Sequence, residues 1–305
     1  MHLKVKYAVV ALPIVALLAL VFQNCSSSSG GATNTNPNTA QNTCPANFVL
    51  VTGNATFGTT DFCISKYEAK QVNGLPESLP ANTPWVSLTR DQAKAACTAK
   101  GSAYALVDND HWMTIARDIE ATTWNYGGDA TIFEDGWSRG VTNNSGTTGL
   151  AAGADDNDSC YLATQSANGP AAVCDLSTYD VARRVAKLSN GSLMWDFAGN
   201  VSEWINDDLA AGIATKDWVL NIGTGAVKSK FGPAGVYQAG PANPTGNIYM
   251  QNFGYISANA APPFVIMRGG GFSYGRYAGI YTAYFTPVTY QGADIGFRCM
   301  FQLAN

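Results

Sequence analysis

Histidine is almost absent from this chain of 305 residues: His2 sits at the amino terminus and His111 is the only other one. Zinc, haem and non-haem iron sites draw heavily on histidine and thiolate. The shortage argues against all three, and neither copper nor iron is expected as a cofactor. It also removes the base that a nucleophilic serine or cysteine needs. Charge is scarce as well. Asp, Glu, Lys and Arg make up 13% of the residues, the net charge is −4, and no basic run occurs. That composition argues against nucleic acid or anionic lipid headgroups as the partner. Gly223 to Ser229 is glycine-rich but lacks the Gly-Lys-Ser/Thr spacing of a phosphate loop. Internal repeats are missing too.

The marked apolar run at the amino terminus, Ala8 to Phe22, is shorter than the roughly 20 residues of a spanning helix. It follows a weakly basic start at Lys4 and Lys6 and leads into Gln23-Asn24-Cys25 and a Ser/Gly tract. This is the layout of a secretory signal of the lipoprotein type. Residues 1–24 read as the signal peptide and Cys25 as the lipidated first residue of the mature chain. An uncleaved N-terminal anchor is the alternative, because Phe22-Gln23-Asn24 departs from the small residues usual before a lipoprotein cysteine. Residues 26–43 are polar and uncharged and cannot bury enough surface to order themselves, so 25–43 forms a tether. A flexible tether of that length reaches on the order of 20–25 Å. Residues 44–305 are about the size of one large domain. The expected location is exported and membrane-anchored, at the outer membrane or cell surface of a bacterium.

Cys25 aside, the remaining cysteines are Cys44, Cys63, Cys97, Cys160, Cys174 and Cys299. An even set in an exported chain suggests disulfides, with a connectivity that spacing alone leaves open. Cys44–Cys63 and Cys160–Cys174 are the natural local pairs. Phe48 to Val51 and Phe62 to Glu68 are short apolar runs around a Gly/Asn/Thr-rich turn, the pattern of a hairpin. Thr89 with Gln92 three residues on reads as a capping box, and Ala93, Ala96 and Cys97 follow at helical spacing, with Cys97 turned inward. A second helix starts after Asp108, with Trp112, Ile115, Ala116 and Ile119 on one face and His111 on the polar, solvated side. Residues 125–180 and 206–262 read as long irregular stretches rich in turn-forming residues.

Three motifs frame the rest. Trp195-Asp196-Phe197-Ala198-Gly199-Asn200-Val201-Ser202-Glu203-Trp204, Arg268-Gly269-Gly270-Gly271-Phe272 and Ile295-Gly296-Phe297-Arg298-Cys299 together resemble the formylglycine-generating enzyme (sulfatase-modifying factor) family. Ile64 to Glu68 resembles that family's Ile-Asp-Lys-Tyr-Glu strand, and Leu106, Trp112, Ala116 and Arg117 match one of its helices in order and spacing. The resemblance implies an α+β, C-type lectin-like fold with two main helices, small twisted sheets and much irregular loop. It also implies a Cys97–Cys299 bridge, since the family fold sets a first-helix residue beside the last strand. Such a bridge would contribute roughly 4–5 kcal/mol in the chain-entropy model. In the family's oxidases two cysteines five residues apart follow the Arg-Gly-Gly motif. The corresponding positions here are Tyr274 and Gly279.

The same resemblance places calcium ligands at Asp196, Gly199, Val201 and Glu203, two side chains and two carbonyls around a bend, a set suited to a hard cation. The competing reading has no ion: Trp195 and Trp204 pack the core and Glu203 pairs with a buried arginine such as Arg298. Between the Arg-Gly-Gly and Gly-Phe-Arg motifs, Ser273, Tyr274, Arg276, Tyr277, Tyr284, Thr286, Tyr290 and Asp294 alternate with small or apolar residues. Tyrosine offers large contact area at low entropic cost, and serine and glycine add adaptability, as in antibody binding loops. The segment resembles the variable region of diversity-generating retroelement proteins. Two functions follow as expectations. One is a non-catalytic cell-surface lipoprotein whose tyrosine-rich, hypervariable surface takes a protein or glycan ligand. The other is a formylglycine-generating oxidoreductase acting on a peptide cysteine.

Overall fold

In the computed structural model, the structure describes residues 43–125, 140–142, 183–209, 232, 248–250, 254–257, 264–275 and 278–304. The chain divides into two units, Met1–Thr39 and Ala40–Asn305, and every described residue belongs to the second. The signal peptide, Cys25, nearly all of the tether, Cys160, Cys174, Arg276 and Tyr277 lie outside the described residues.

Strands β1 (Phe48–Val51) and β2 (Phe62–Ser65) pair antiparallel in the expected hairpin, with Phe48 opposite Ser65. The Cys44–Cys63 disulfide closes its base. A second hairpin, β3 (Ala69–Val72) and β4 (Leu75–Ser78), turns on Asn73 and Gly74, both at positive φ. Asn-Gly is the standard sequence for a two-residue hairpin turn of this hand. Helix α1 (Arg90–Thr98) begins at the capping box of Thr89 and Gln92 and buries Ala93 and Cys97. After β5 (Tyr104–Leu106), helix α2 (Asn109–Ala121) begins at an Asp108 cap. It buries Trp112, Ile115, Ala116 and Ile119, the predicted face.

His111 departs from the expected solvated position. Its side chain is 15% exposed, its Nδ1 lies 2.7 Å from Asp108 Oδ1, and its ring meets Phe62 edge-on at 4.6 Å. The capping carboxylate folds the imidazole back onto the helix start, where β2 covers it.

The remaining strands are β6 (Val185–Lys187), β7 (Leu193–Trp195), β8 (Ser202–Leu209), β9 (Ile248–Met250), β10 (Gly254–Ser257), β11 (Phe264–Arg268), β12 (Ala283–Pro287), β13 (Ile295–Phe297) and β14 (Cys299–Gln302). One sheet runs β1-β2-β14-β5, so the last strand sits between two of the earliest. A second runs β13-β8-β11-β12-β10-β9, antiparallel except for the β13–β8 and β10–β12 pairs, and β6 and β7 form a separate antiparallel pair. Strands β9 and β10 fall inside a stretch expected to be irregular. They have three and four residues, pair antiparallel with each other, and join the sheet only through two residues of β10 beside the distant β12, too short a run for periodicity to announce.

Alternation along the strands divides the core in two. Ile266 on β11, Ile205 on β8 and Met300 on β14 join α2 residues Trp112, Met113 and Ile115 in one cluster. Val265, Met267, Trp204 and Cys299, their chain neighbours, join α1 residues Ala93 and Cys97 in the other. Cys97 and Cys299 are bonded there, with Cα atoms 5.6 Å apart.

Candidate functional site

Between β7 and β8 the backbone folds tightly. Asp196, Gly199 and Asn200 take φ of 51°, 80° and 63°, a region that Gly, Asn and Asp enter more readily than other residues. Inside this bend lies a charged cluster. Arg184 grips Asp196 with Nε to Oδ1 at 2.9 Å and Nη2 to Oδ2 at 2.5 Å. Arg298 Nε donates to both oxygens of Glu203, at 2.9 and 2.7 Å, while its other nitrogens donate to the carbonyls of Ser65, Trp195 and Asp196. A third carboxylate, Glu68, accepts from Asn200 Nδ2 at 2.5 Å and from the Val201 amide at 3.1 Å. Lys70 is buried within its electrostatic reach. Glu68, Asp196 and Glu203 are each 1% exposed and Arg298 is fully covered. Burial holds Glu68 well above the usual carboxylate range. Asp196 and Glu203 reinforce that rise, and Lys70 and Arg298 oppose it. Burial alone would lower Arg298, but the Glu203 carboxylate beside it prevails, and Arg298 stays protonated. Such paired charges add little net stability over apolar packing, yet removing one partner costs about 3–5 kcal/mol because the other is left stranded.

This geometry tests the calcium set. Both of its carboxylates are already held by arginine forks, and among the described residues no three His, Cys, Asp or Glu side chains converge so as to hold a metal ion. Asn200 Oδ1 is a buried oxygen without a hydrogen-bond partner, but calcium draws its binding chiefly from carboxylates, and the two in this set are paired with arginine. The residues as arranged do not fit the ion. The Glu203–Arg298 pairing is the one weighed against it from sequence. Glu68 was missed as a partner, although it lies in the Ile64 to Glu68 segment that carried the family resemblance, in the link between β2 and β3, and Arg184 had no local signal.

The second feature is the segment between β11 and β13. Gly269 and Gly270 take φ of 80° and 78°, and a Cβ on Gly270 would sit 2.8 Å from Ala278 Cα. The chain must therefore cross itself there through glycine. Next to this crossing the Tyr274 ring stands edge-on to Tyr284 at 5.1 Å, and both are half-buried. A Cβ on Gly271 would reach the Tyr274 ring at 3.2 Å and the Asp294 carbonyl at 3.4 Å, so Tyr274, Tyr284 and Asp294 gather around Gly271. Ser273 is exposed, and Tyr290 is 46% exposed on the turn after β12. Thr286 does not belong with them. It is 8% exposed on β12, opposite the buried Val265 of β11. Gly279, at the second oxidase cysteine position, is buried, and its amide donates to the Gly269 carbonyl at 3.0 Å. Sequence reasoning also missed Trp85, Leu88 and Val288, half-buried residues that pack on the same cluster as Tyr284. The Ser87 amide reaches the Gly292 carbonyl at 3.0 Å and ties that segment to this region.

The described residues thus define an α+β protein of two helices and several small, mostly antiparallel sheets. No protein-family model matches the chain, and no curated protein matches it. Among solved structures it is similar to PvdO from Pseudomonas aeruginosa, at 13% identity and a TM-score of 0.37 over 85% of this chain and 92% of that one. It is also similar to CarF, at 14% and 0.37 over 85% and 99%, and to Treponema denticola variable protein 1, at 12% and 0.36 over 85% and 93%.

Proposed function

We propose that this chain is a non-catalytic, exported binding protein, a lipoprotein whose lectin-like domain of the formylglycine-generating-enzyme type presents its C-terminal segment to a protein or glycan ligand. One observation carries the reading. The positions where the oxidases carry their thiols are Tyr274 and a buried Gly279. Cys299, the cysteine nearest in sequence, is bonded to Cys97, so it supplies no thiolate. What the segment offers instead is contact area: a Tyr274–Tyr284 pair, the exposed Tyr290 and Ser273, and the half-buried Asp294. Large aromatic side chains on a rigid support are the usual hot spots of an interface. Diversification of this surface belongs to the same proposal. It calls for a reverse transcriptase gene nearby and a near-copy of the 3′ end differing at adenines.

The test is capture of surface partners on the immobilised full chain and on a Tyr274→Ala/Tyr290→Ala form. Loss of partner binding with an unchanged melting curve supports the proposal. Unchanged binding, or unfolding that shows the rings to be core, removes it. Oxygen consumption with a cysteine peptide in the presence of copper would restore the oxidase reading.

A further inference from the structure

A hollow of about 490 Å³ opens between the loop after β1 and the last turns of α2, lined by Asn54, Thr56, Phe57, Arg117, Glu120 and Ala121. That volume lies within the roughly 300–1,000 Å³ of small-molecule sites. We infer that it binds a neutral, hydroxyl-bearing ring, a pyranose unit of a sugar. The site is separate in its residues from the tyrosine-rich surface and does not depend on that proposal.

Charge selects the class of ligand. Arg117 Nη1 and Glu120 Oε2 are 3.2 Å apart, with side chains 14% and 15% exposed. The wall they form has no net charge. An anion approaching the guanidinium would meet the Glu120 carboxylate beside it, and a cation approaching the carboxylate would meet Arg117, so each is opposed by a like charge. A hydroxyl is opposed by neither, because it donates to a carboxylate and accepts from a guanidinium at once. Asn54 and Thr56 add an amide and a hydroxyl of the same double character. The Phe57 ring and the Ala121 methyl supply the apolar surface that the C–H face of a sugar ring requires.

The walls are also fixed before any ligand arrives. The Arg117 guanidinium lies 5.9 Å from the Phe57 ring centre and 5.8 Å from that of Tyr281, and the Tyr281 hydroxyl donates to Glu120 Oε2 at 2.6 Å. The loop is knotted by its own bonds: the Gly53 amide to Asp61, the Asn54 amide to the Thr59 hydroxyl, and the Thr56 amide to Asn54 Oδ1. The Thr59 hydroxyl then meets the Thr114 hydroxyl at 2.8 Å, which fastens the loop to α2. A site held this way spends little of its binding energy on ordering.

The experiment uses the full chain and saturation-transfer NMR with glucose, galactose, mannose and N-acetylglucosamine, and with zwitterionic glycine and anionic methyl phosphate as comparators. At least one sugar is expected to bind in preference to both comparators. Phe57→Ala, which removes the stacking face, is expected to weaken that binding about tenfold or more. Arg117→Lys keeps the charge but loses the planar fork and is expected to weaken it comparably, whereas Tyr290→Ala leaves it intact. Melting curves check that each variant folds, and Arg117→Lys alone decides should Phe57→Ala unfold. The inference is overturned if no sugar binds, if methyl phosphate or glycine is preferred, or if sugar binding survives both pocket substitutions. It is overturned equally if Tyr290→Ala abolishes sugar binding, which would seat the sugar on the tyrosine-rich surface.

Discussion

Glu68 is a carboxylate whose folded environment favours the proton. Burial is the chief cause, the neighbouring carboxylates Asp196 and Glu203 add to it, and Lys70 and Arg298 oppose it. Because its pKa is higher folded than unfolded, its stabilising contribution is complete below the usual glutamate range and is lost as the pH rises through the raised folded value. Glu68→Gln has no such proton to lose. The stability difference between the native protein and this variant, from urea titrations at a series of pH values, is therefore expected to shift against the native protein with rising pH in that window. A difference independent of pH would mean that Glu68 titrates normally. The same cluster sets the response to metal. Asp196 and Glu203 are already neutralised by Arg184 and Arg298, so neither millimolar calcium nor a chelator is expected to move the melting temperature. A rise with calcium that the chelator reverses would show that the ion outcompetes the arginines. Sequence made half of this cluster visible, because Glu203 and Arg298 lie in recognisable motifs. The bond from Glu68 to Asn200 spans 132 positions, and no spacing rule reaches that far.

Helix α1 depends on its first turn more than on its length. It has nine residues, too short to persist alone in water, and no basic residue in its last turn to offset the dipole. The Thr89 hydroxyl accepts from the Gln92 amide at 3.3 Å, and the Gln92 side chain accepts from the Thr89 amide at 2.9 Å. Thr89→Ala is expected to lower unfolding free energy by about 1 kcal/mol, the usual loss for such a cap, with the urea midpoint shifted and the slope unchanged. No shift would mean that packing of Ala93 and Cys97 alone holds the helix. Caps are local chemistry, which is why the starts of both helices could be placed from sequence. The β1–β2 hairpin was legible for the same reason. Hairpin β3–β4 was equally available through Asn73-Gly74. Strands β9 and β10 were not, since a three- or four-residue strand is defined by the partner it finds. Thr286 shows the related limit at the binding surface: alternation on β12 put it with Tyr284, but burial depends on what flanks the strand.

The fold is closed by its end. Strand β14 enters between β2 and β5, pairing Phe301 with Cys63 and with Tyr104, so the first sheet cannot be completed until the last residues arrive. The Cys97–Cys299 bond secures that closure across a separation of 202 residues, whereas Cys44–Cys63 spans 19. In the chain-entropy model the long loop is worth about 5 kcal/mol and the short one about 3. Replacing the Cys97–Cys299 pair by alanines is therefore expected to lower stability by about 2 kcal/mol more than replacing Cys44–Cys63, measured by urea unfolding of both double variants. Position adds a second consequence. Cys299 follows Arg298, which holds Glu203, and both lie just beyond the segment that carries Tyr284, Tyr290 and Asp294. Loosening the long bridge should therefore disturb the charged cluster and the tyrosine-rich surface together, while loosening the short one leaves both in place. Amide hydrogen exchange separates the two cases. Faster exchange at residues 198–205 and 278–297 in the Cys97/Cys299 variant, but not in the Cys44/Cys63 variant, is the expected pattern, and equal exchange in both would mean that strand pairing alone fixes the surface.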